Sequence, residues 1–164
     1  MVIWVIGQSG SGKTFFAKKI FSKIKTRKKI HIDGDEVRNI FFNNKLGYTI
    51  RDRRKNAELI QNLCRFFENK NFKVICSIQS IFPDMQKENR SIFKNYLQIY
   101  IKVPTKILMR RNNKKIYSKK NVVGIHFKFP RPYKSDYIFN NNFDQKNIKL
   151  INKIINKINI KNKK

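Results

Sequence analysis

The residues from Gly7 to Thr14 place the tightest limit on what this chain can fold into. They match the pattern G-x-x-x-x-G-K-[ST] at every fixed position. The motif follows the apolar run Val2–Ile6 and precedes residues with helical spacing. Glycines let the backbone wrap closely around a phosphate, and the N–H groups at a helix N-terminus attract the anion. The pattern therefore predicts a phosphate-binding loop between a buried strand and a helix.

This loop predicts a nucleotide triphosphate site with ATP and Mg²⁺ as cofactors. Lys13 is expected to reach the β- and γ-phosphates, and the Thr14 hydroxyl to ligate Mg²⁺. The expected cofactor contacts are Gly7, Ser9, Gly10, Ser11, Gly12, Lys13 and Thr14. The alternative is a glycine turn that binds nothing. The chain has no N-K-x-D guanine signature and no long insertions of the motor-ATPase kind, which favours a small-molecule kinase.

Strand and helix patterns alternate along the chain. Apolar runs predict strands at 2–6, 29–32, 73–78, 97–103 and 137–139. Helical spacing predicts helices over 13–25, after a Thr49–Asp52 capping box, over 105–111, and around Ile151, Ile154, Ile155 and Ile158. This order is typical of an α/β protein with the three-layer P-loop NTPase fold, in which helices cover both faces of a parallel sheet. We expect a single kinase domain over residues 1–164, with a basic helix and tail at 146–164.

The composition leaves some questions open. The net charge of +28 is typical of a nucleic-acid-binding protein, but the abundance of Lys, Asn and Ile also fits the codon bias of an AT-rich genome. The basic last helix could lie on a membrane surface or pack on the sheet. No apolar run is long enough to span a membrane, so a cytoplasmic location is expected. Cys64 and Cys76 lie in apolar runs and are expected to be buried free thiols.

Two carboxylates follow the second predicted strand, in Asp33-Gly34-Asp35. Ligands of open α/β sheets bind at the carboxyl ends of the strands. Phosphoryl transfer needs charge neutralisation and an acceptor for the proton of the attacking hydroxyl. One carboxylate near Mg²⁺ and one near the acceptor would supply both. The alternative is that Asp33 and Asp35 cap the next helix.

Four stretches together resemble the adenylylsulfate kinase family over roughly residues 2–140. They are IWVIGQSGSGKT, HIDGDEVR, LGYTIRDRRKN, and KKIY followed by NVVGIHF. The resemblance implies transfer of the ATP γ-phosphate to the 3′-hydroxyl of a nucleotide that carries a 5′ conjugate. It also implies a homodimer. No nucleic acid is expected as a partner, because the chain has no RNP, KH or helix-turn-helix signature, and no membrane, because a C-terminal helix more commonly packs on a sheet.

The resemblance further implies roles for individual residues. Asp35 would accept the hydroxyl proton, and Asp33 would support Mg²⁺. Arg111, in the family's lid, would lie near the transferring phosphate beside Lys13. The other expected substrate-binding residues are Arg38, Arg53 and Asn56 at the acceptor's 5′-phosphate end, Tyr48 against its base, Ser80 after the third strand, and Lys114 and Tyr117 in the lid. For Arg111, Lys114 and Tyr117, ordinary surface positions are the alternative.

Two departures from the family concern the acceptor. The family's I-S-P segment is Gln79-Ser80-Ile81, and the lid is several residues shorter, without the phenylalanine that completes an adenine sandwich. Either Phe127 or Phe129 replaces that ring, or the acceptor is not adenylylsulfate. A branch of the family with a short NVVG-type lid phosphorylates cytidine diphosphoramidate on the route to capsular phosphoramidate. The resemblance therefore favours cytidine diphosphoramidate, with adenylylsulfate as the alternative and a P-loop nucleic-acid-binding protein as a further one.

Overall fold

A computed structural model describes residues 1–43, 45–111, 120–143, 151–152 and 154–156. In this part of the chain, strands and helices alternate. The strands are β1 (Val2–Ile6), β2 (Lys29–Asp33), β3 (Lys73–Ile78), β4 (Tyr96–Lys102) and β5 (Tyr137–Asn140). The helices are α1 (Lys13–Lys23), α2 (Gly34–Phe42), α3 (Ile50–Asn69), α4 (Pro83–Ile92) and α5 (Thr105–Arg111). The predicted α/β fold is confirmed.

The strands form one parallel sheet in the order β2-β3-β1-β4-β5. β1 is central, pairing with β3 on one side and β4 on the other. All five of its residues are buried, because a central strand in a parallel sheet is covered on both faces. This explains why its sequence is a continuous apolar run rather than an alternating one.

Successive side chains of β1 enter two different cores, one on each face of the sheet. Ile3 and Val5 pack with α1 on one face. Val2, Trp4 and Ile6 pack on the other, against α3 and its neighbours. Helix α3 begins at the predicted capping box, in which the Thr49 hydroxyl and the Asp52 carboxylate each accept from the other's backbone N–H. The two cores hold β1, and hence the loop that follows it, from both sides.

The C-terminal residues that the structure describes also cover the core. Residues 151–152 and 154–156 are helical, and Ile151, Ile154 and Ile155 are buried in the same core as α1. This packing favours the sheet-covering interpretation over a membrane-surface helix; Ile158 lies outside the described residues. No described helix combines the length and the apolar character needed to cross a bilayer.

Cys64 and Cys76 are both buried and free, as predicted. Burial, together with the neighbouring Cys64, raises the pKa of the Cys76 thiol. A thiol with a raised pKa is a poor nucleophile, because the thiolate is the reactive form. These cysteines are therefore packing residues of the α3–β3 core.

Candidate active site

A cleft of about 350 Å³ opens at the carboxyl ends of the strands. Its walls come from the phosphate loop, the β2–α2 junction, the first turns of α3, the end of β3 and residues 120–123. This is the edge at which open α/β sheets bind ligands. The cleft brings the predicted phosphate loop and the two predicted carboxylates to the same place.

The phosphate loop divides into residues that face the cleft and residues that support it. Ser9, Gly10, Gly12, Lys13 and Thr14 line the cleft. Gly7 does not line it. A Cβ at Gly7 would lie 2.6 Å from the backbone oxygen of Ile101, so a glycine is needed there for close packing against β4.

Ser11 is the second supporting residue of the loop. It is fully buried, and its backbone oxygen accepts a 2.8 Å hydrogen bond from the Asn141 side chain. Asn141 follows β5 and is itself buried. The phosphate loop is therefore supported by a residue that follows β5, an edge strand of the described sheet.

Asp33 links three segments around the cleft. Its Oδ2 accepts hydrogen bonds from Thr14 Oγ1 at 2.8 Å and from Ser77 Oγ at 2.7 Å. Its Oδ1 accepts one from the backbone N–H of Asp35 at 2.9 Å, which caps α2. Asp33 therefore contacts Thr14 and also fulfils the capping role that the sequence left open. Because Thr14 gives its one hydroxyl hydrogen to Asp33, both oxygen lone pairs of Thr14 remain available for a cation.

The environment of Asp33 favours its ionised form. Burial raises the pKa of this carboxyl, but the hydrogen bonds from Ser77, Thr14 and the Asp35 N–H outweigh that effect, so the pKa lies below its ordinary value. His31 is two residues earlier on the same face of β2, with its Nε2 3.0 Å from Ser77 Oγ. Burial lowers the pKa of His31, against the opposing effect of Asp33 and Glu36.

Asp35 and Asn56 are two further predicted site residues that line the cleft. Asp35 is exposed in the first turn of α2, and it lines the cleft. Asn56 is 5% exposed and also lines the cleft. Its Nδ2 donates to the Gly34 carbonyl at 3.1 Å, whereas its Oδ1 has no hydrogen-bond partner among the described residues. A buried acceptor without a partner favours a ligand that can donate a hydrogen bond.

Arg38 and Arg53 both contact the Tyr48 ring. Their guanidinium carbons are 4.6 Å and 5.4 Å from the ring centroid. Arg38 donates to the backbone oxygens of Leu46 and Gly47. Arg53 donates to the Tyr48 backbone oxygen at 3.0 Å. It also donates to Gln79 Oε1 and to the Asn121 backbone oxygen.

The charges of these two arginines are not neutralised within the described chain. Neither guanidinium has a carboxylate within salt-bridge distance there. Burial lowers the pKa of Arg38, and burial together with the nearby Arg38 charge lowers the pKa of Arg53. Two partly desolvated cations that repel each other would be stabilised by a bound anion. This part of the cleft can therefore bind a phosphate or sulfate group.

Of the remaining predicted site residues, one lines the cleft, one lies away from it and two lie outside the described residues. Ser80 is 4% exposed and accepts a hydrogen bond from Gln86; it does not line the cleft. Arg111 lines the cleft with its guanidinium 3.9 Å from the Phe143 ring centroid. Lys114 and Tyr117 lie outside the described residues.

Neither of the aromatic residues expected to replace the missing ring lines the cleft. Phe129 stacks on Tyr100, with the ring centroids 5.8 Å apart. Phe127 bridges to Val123 through its backbone. Within the described chain, the aromatic residues that line the cleft are Phe15, Tyr48 and Phe143.

Sequence reasoning missed several residues of the cleft. Ser77 and Gln79 lie at the carboxyl end of β3, and the same strand-end rule that identified Asp33 could have identified them. Gln79 Oε1 accepts from Arg53 at 2.8 Å. The Asn121 carbonyl also accepts from Arg53, at 2.9 Å. Asn121 begins the NVVGIHF stretch of the family resemblance, which could have identified it, whereas no local sequence signal distinguishes Phe143 from other loop residues.

Comparison with known proteins agrees with this geometry. The adenylylsulphate kinase family model matches residues 1–140. The cytidine diphosphoramidate kinase of Campylobacter jejuni is 32% identical over 151 residues, which cover 85% of each chain. The adenylyl-sulfate kinase of Clostridium kluyveri is 27% identical over 153 residues, 88% of this chain and 76% of that one.

A solved structure shares the fold. It is the Mycobacterium tuberculosis APS kinase CysC in complex with AMPPNP and APS, with a TM-score of 0.79 and 20% identity, covering 92% of this chain and 95% of that one. The family match extends through the phosphate loop, both carboxylates and the arginine pair, and it includes most of the chain. The chain is therefore a member of the adenylylsulphate kinase family and an ATP-dependent nucleotide kinase.

Proposed function

We propose that this kinase transfers the γ-phosphate of ATP to the 3′-hydroxyl of a nucleotide 5′-conjugate, and that its acceptor is cytidine diphosphoramidate. The observation that carries the nucleotide 5′-conjugate as acceptor is the pair of partly buried guanidiniums, Arg38 and Arg53, which have no carboxylate within salt-bridge distance in the described chain. Both contact the Tyr48 ring at one wall of the cleft. An anionic 5′ group on the arginines and a base on the Tyr48 ring would use all three side chains.

The donor end of the cleft belongs to the phosphate loop. Lys13 and the loop N–H groups would hold the triphosphate. Thr14 and Asp33 fit Mg²⁺, because the Thr14 hydroxyl donates to an ionised Asp33 and keeps its lone pairs. The ion would neutralise charge on the phosphate oxygens. Asp35, exposed at the cleft, would accept the proton of the attacking 3′-hydroxyl, and Arg111 would stabilise charge near the transferring phosphate.

Two observations support a pyrimidine acceptor. Phe127 and Phe129 do not line the cleft, so neither of the two rings expected to replace the family's phenylalanine can stack on a purine there. The relative named cytidine diphosphoramidate kinase is similar over 85% of this chain. The product would then enter capsular phosphoramidate biosynthesis.

Adenylylsulfate is the second candidate acceptor. It is favoured by the family model and by relatives named adenylyl-sulfate kinase, such as that of Clostridium kluyveri. The two acceptors share a nucleoside 5′-linked to an anionic group, so both fit the arginine pair. They differ in the base and in the terminal group.

An acceptor panel separates the two candidates. Purified protein with Mg·ATP would be offered cytidine diphosphoramidate, adenylylsulfate, CMP and AMP, and the phosphorylated products would be located by ³¹P NMR and mass spectrometry. We expect a 3′-phosphorylated product and the highest kcat/KM with cytidine diphosphoramidate. A higher kcat/KM with adenylylsulfate would overturn the acceptor assignment. Lys13→Ala, which removes the loop's cation, is the control for contaminating kinases.

A further inference from the structure

The side chains behind Asp33 form a line of hydrogen bonds that the proposed chemistry does not use. Ser77 Oγ donates to Asp33 Oδ2 at 2.7 Å, and His31 Nε2 lies 3.0 Å from Ser77 Oγ. The strands explain the arrangement: Asp33 on β2 is the direct partner of Ser77 on β3, and His31 is two residues before Asp33 on the same face. His31 does not line the cleft.

Counting hydrogens fixes the direction of these bonds. A serine hydroxyl has one hydrogen, and an ionised carboxylate has none to donate. Ser77 therefore gives its hydrogen to Asp33, and the remaining bond to Ser77 Oγ must come from His31. His31 must then carry a hydrogen on Nε2, either as the Nε2–H tautomer or as the imidazolium. With the hydrogen on Nδ1 alone, lone pairs would face each other across 3.0 Å, or Ser77 would turn its hydrogen away from Asp33.

We propose that His31 is a positioning residue for phosphoryl transfer: its Nε2–H keeps the Ser77 hydroxyl aimed at Asp33. The inference rests on the proposed role of Thr14 and Asp33 at the Mg²⁺ site. It adds a residue that contacts neither nucleotide nor acceptor and acts through a serine.

The hydrogen bond from Ser77 helps to fix the orientation of the Asp33 carboxylate. Both hydrogen bonds to its Oδ2 come from hydroxyls, one on α1 and one on β3, and the bond to its Oδ1 comes from the backbone of α2. Without the Ser77 donor, Oδ2 of Asp33 keeps only the Thr14 hydroxyl and Oδ1 keeps the Asp35 N–H, so the carboxylate is held less firmly. The acceptor that orients the Thr14 hydroxyl is then less well fixed. We expect kcat to fall and the Mg²⁺ concentration for half-maximal rate to rise. The KM for the acceptor should stay the same.

The first test measures the His31 tautomer directly. Long-range ¹H–¹⁵N NMR distinguishes the protonated from the bare ring nitrogen, at a pH above the ordinary histidine pKa of about 6.5. The chain has two histidines, so a spectrum of His126→Gln assigns the signals of His31. We expect the hydrogen on Nε2. A hydrogen on Nδ1, or an equal mixture of the tautomers, would overturn the proposal. Because the sample contains neither ATP nor acceptor, this result is independent of the acceptor assignment.

The second test uses a conservative replacement. The Gln side chain places an amide N–H near the position of Nε2, whereas Leu has no donor. We expect His31→Leu to lower kcat and to raise the Mg²⁺ concentration for half-maximal rate by about five- to tenfold, as for one lost hydrogen bond. His31→Gln should recover most of that loss.

The Ser77→Ala background provides the control for a purely structural effect. There, His31→Leu should cause no additional loss of kcat, since the serine that transmits the effect is gone. Equal damage from Gln and Leu at position 31, or a full effect of His31→Leu in the Ser77→Ala protein, would overturn the proposal. Unfolding midpoints of all four variants identify any loss that comes from folding.

Discussion

The Thr14 hydroxyl donates a 2.8 Å hydrogen bond to Asp33 and so joins the first turn of α1 to the end of β2. The strands that lead to these two residues, β1 and β2, are separated in the sheet by β3. The bond therefore crosses the base of the cleft. It places a hydroxyl with available lone pairs beside an ionised carboxylate at the phosphate loop.

Replacing Thr14 tests the cation site. Thr14→Val keeps the shape but removes the hydroxyl, and should lower kcat by roughly 10- to 100-fold at fixed Mg²⁺, as for a lost hydrogen bond to a charged group. Thr14→Ser keeps the hydroxyl and should stay close to the wild type. Initial rates over a series of Mg²⁺ concentrations measure both. Similar rates for the Val and Ser variants would contradict the assignment.

The lowered pKa of Asp33 predicts that its contribution to the free energy of unfolding depends on pH. Its pKa in the folded protein lies below the ordinary value of 3.8. The ionised group therefore stabilises the fold at pH values above that ordinary value, and this stabilisation is lost as the pH falls through the lower, folded pKa.

Urea unfolding of the wild type and Asp33→Asn over a pH series measures this contribution. The difference in unfolding free energy should be constant near neutral pH and should decrease below about pH 4, where the unfolded carboxyl takes up its proton. A difference that is independent of pH down to the acid range would show that the Asp33 charge does not contribute.

Arg53 predicts a selective loss of acceptor binding. Arg53→Ala should raise the acceptor KM by roughly 10- to 100-fold, since it removes a charge-assisted contact to the anionic 5′ group. The KM for ATP should change little. The neighbouring Arg54 is the matched control, because it pairs with Glu58 and Asp84 and does not line the cleft. If Arg54→Ala raises the acceptor KM as much as Arg53→Ala, the effect is one of overall charge.

We expect replacements of Gln79 to raise the acceptor KM less than Arg53→Ala does, and by an amount that depends on the charge of the new side chain. Gln79→Leu removes the 2.8 Å bond that holds Arg53 and should raise the acceptor KM by about fivefold, the value of one ordinary hydrogen bond. Gln79→Glu should raise it further, because the new carboxylate neutralises Arg53 and repels an anionic acceptor. Steady-state kinetics of the two variants give the order. A lower KM in the Glu variant would mean that the acceptor group near Arg53 is not anionic.

Alanine replacements of Gly10 and Gly12 in the phosphate loop distinguish the effect of backbone strain from that of steric crowding. Gly10 and Gly12 have φ angles of +76° and +91°, which L-residues adopt at a cost of about 1–2 kcal/mol. A Cβ at Gly12 would also lie 3.0 Å from Asn141 Nδ2, whereas at Gly10 the nearest atom is at 3.8 Å. Gly12→Ala should therefore lower the unfolding free energy and the ATP affinity more than Gly10→Ala. Chemical unfolding and nucleotide titration would show the difference, and equal losses would contradict it.

Much of the fold could be predicted because each strand has a local signal. The predicted bounds of β1 and β3 agree with the structure, since both are apolar runs that end in turn residues. Helix α4 was not predicted. Its buried residues are Met85, Gln86 and Asn89, so it has no apolar stripe to detect. Its polar residues are satisfied by tertiary contacts, as in the bond from Gln98 to Gln86.

The site was predicted where sequence neighbours supply its parts. The phosphate loop and Asp33-Gly34-Asp35 are contiguous motifs, and both reach the cleft. Phe143 reaches it through the packing of a distant loop, which no local pattern indicates. The single domain over residues 1–164 and the homodimer stay predictions, which sedimentation velocity would test.

The hydrogen bond from Asn141 to the Ser11 backbone oxygen connects a residue just after β5 to the phosphate loop. The family match stops at residue 140, one position before this asparagine. A protein shortened to that boundary would retain every predicted site residue and still lose this hydrogen bond to the phosphate loop. Such a protein would also lack Ile151, Ile154 and Ile155, so a boundary drawn from motif matches alone would remove both a support of the phosphate loop and part of the hydrophobic core.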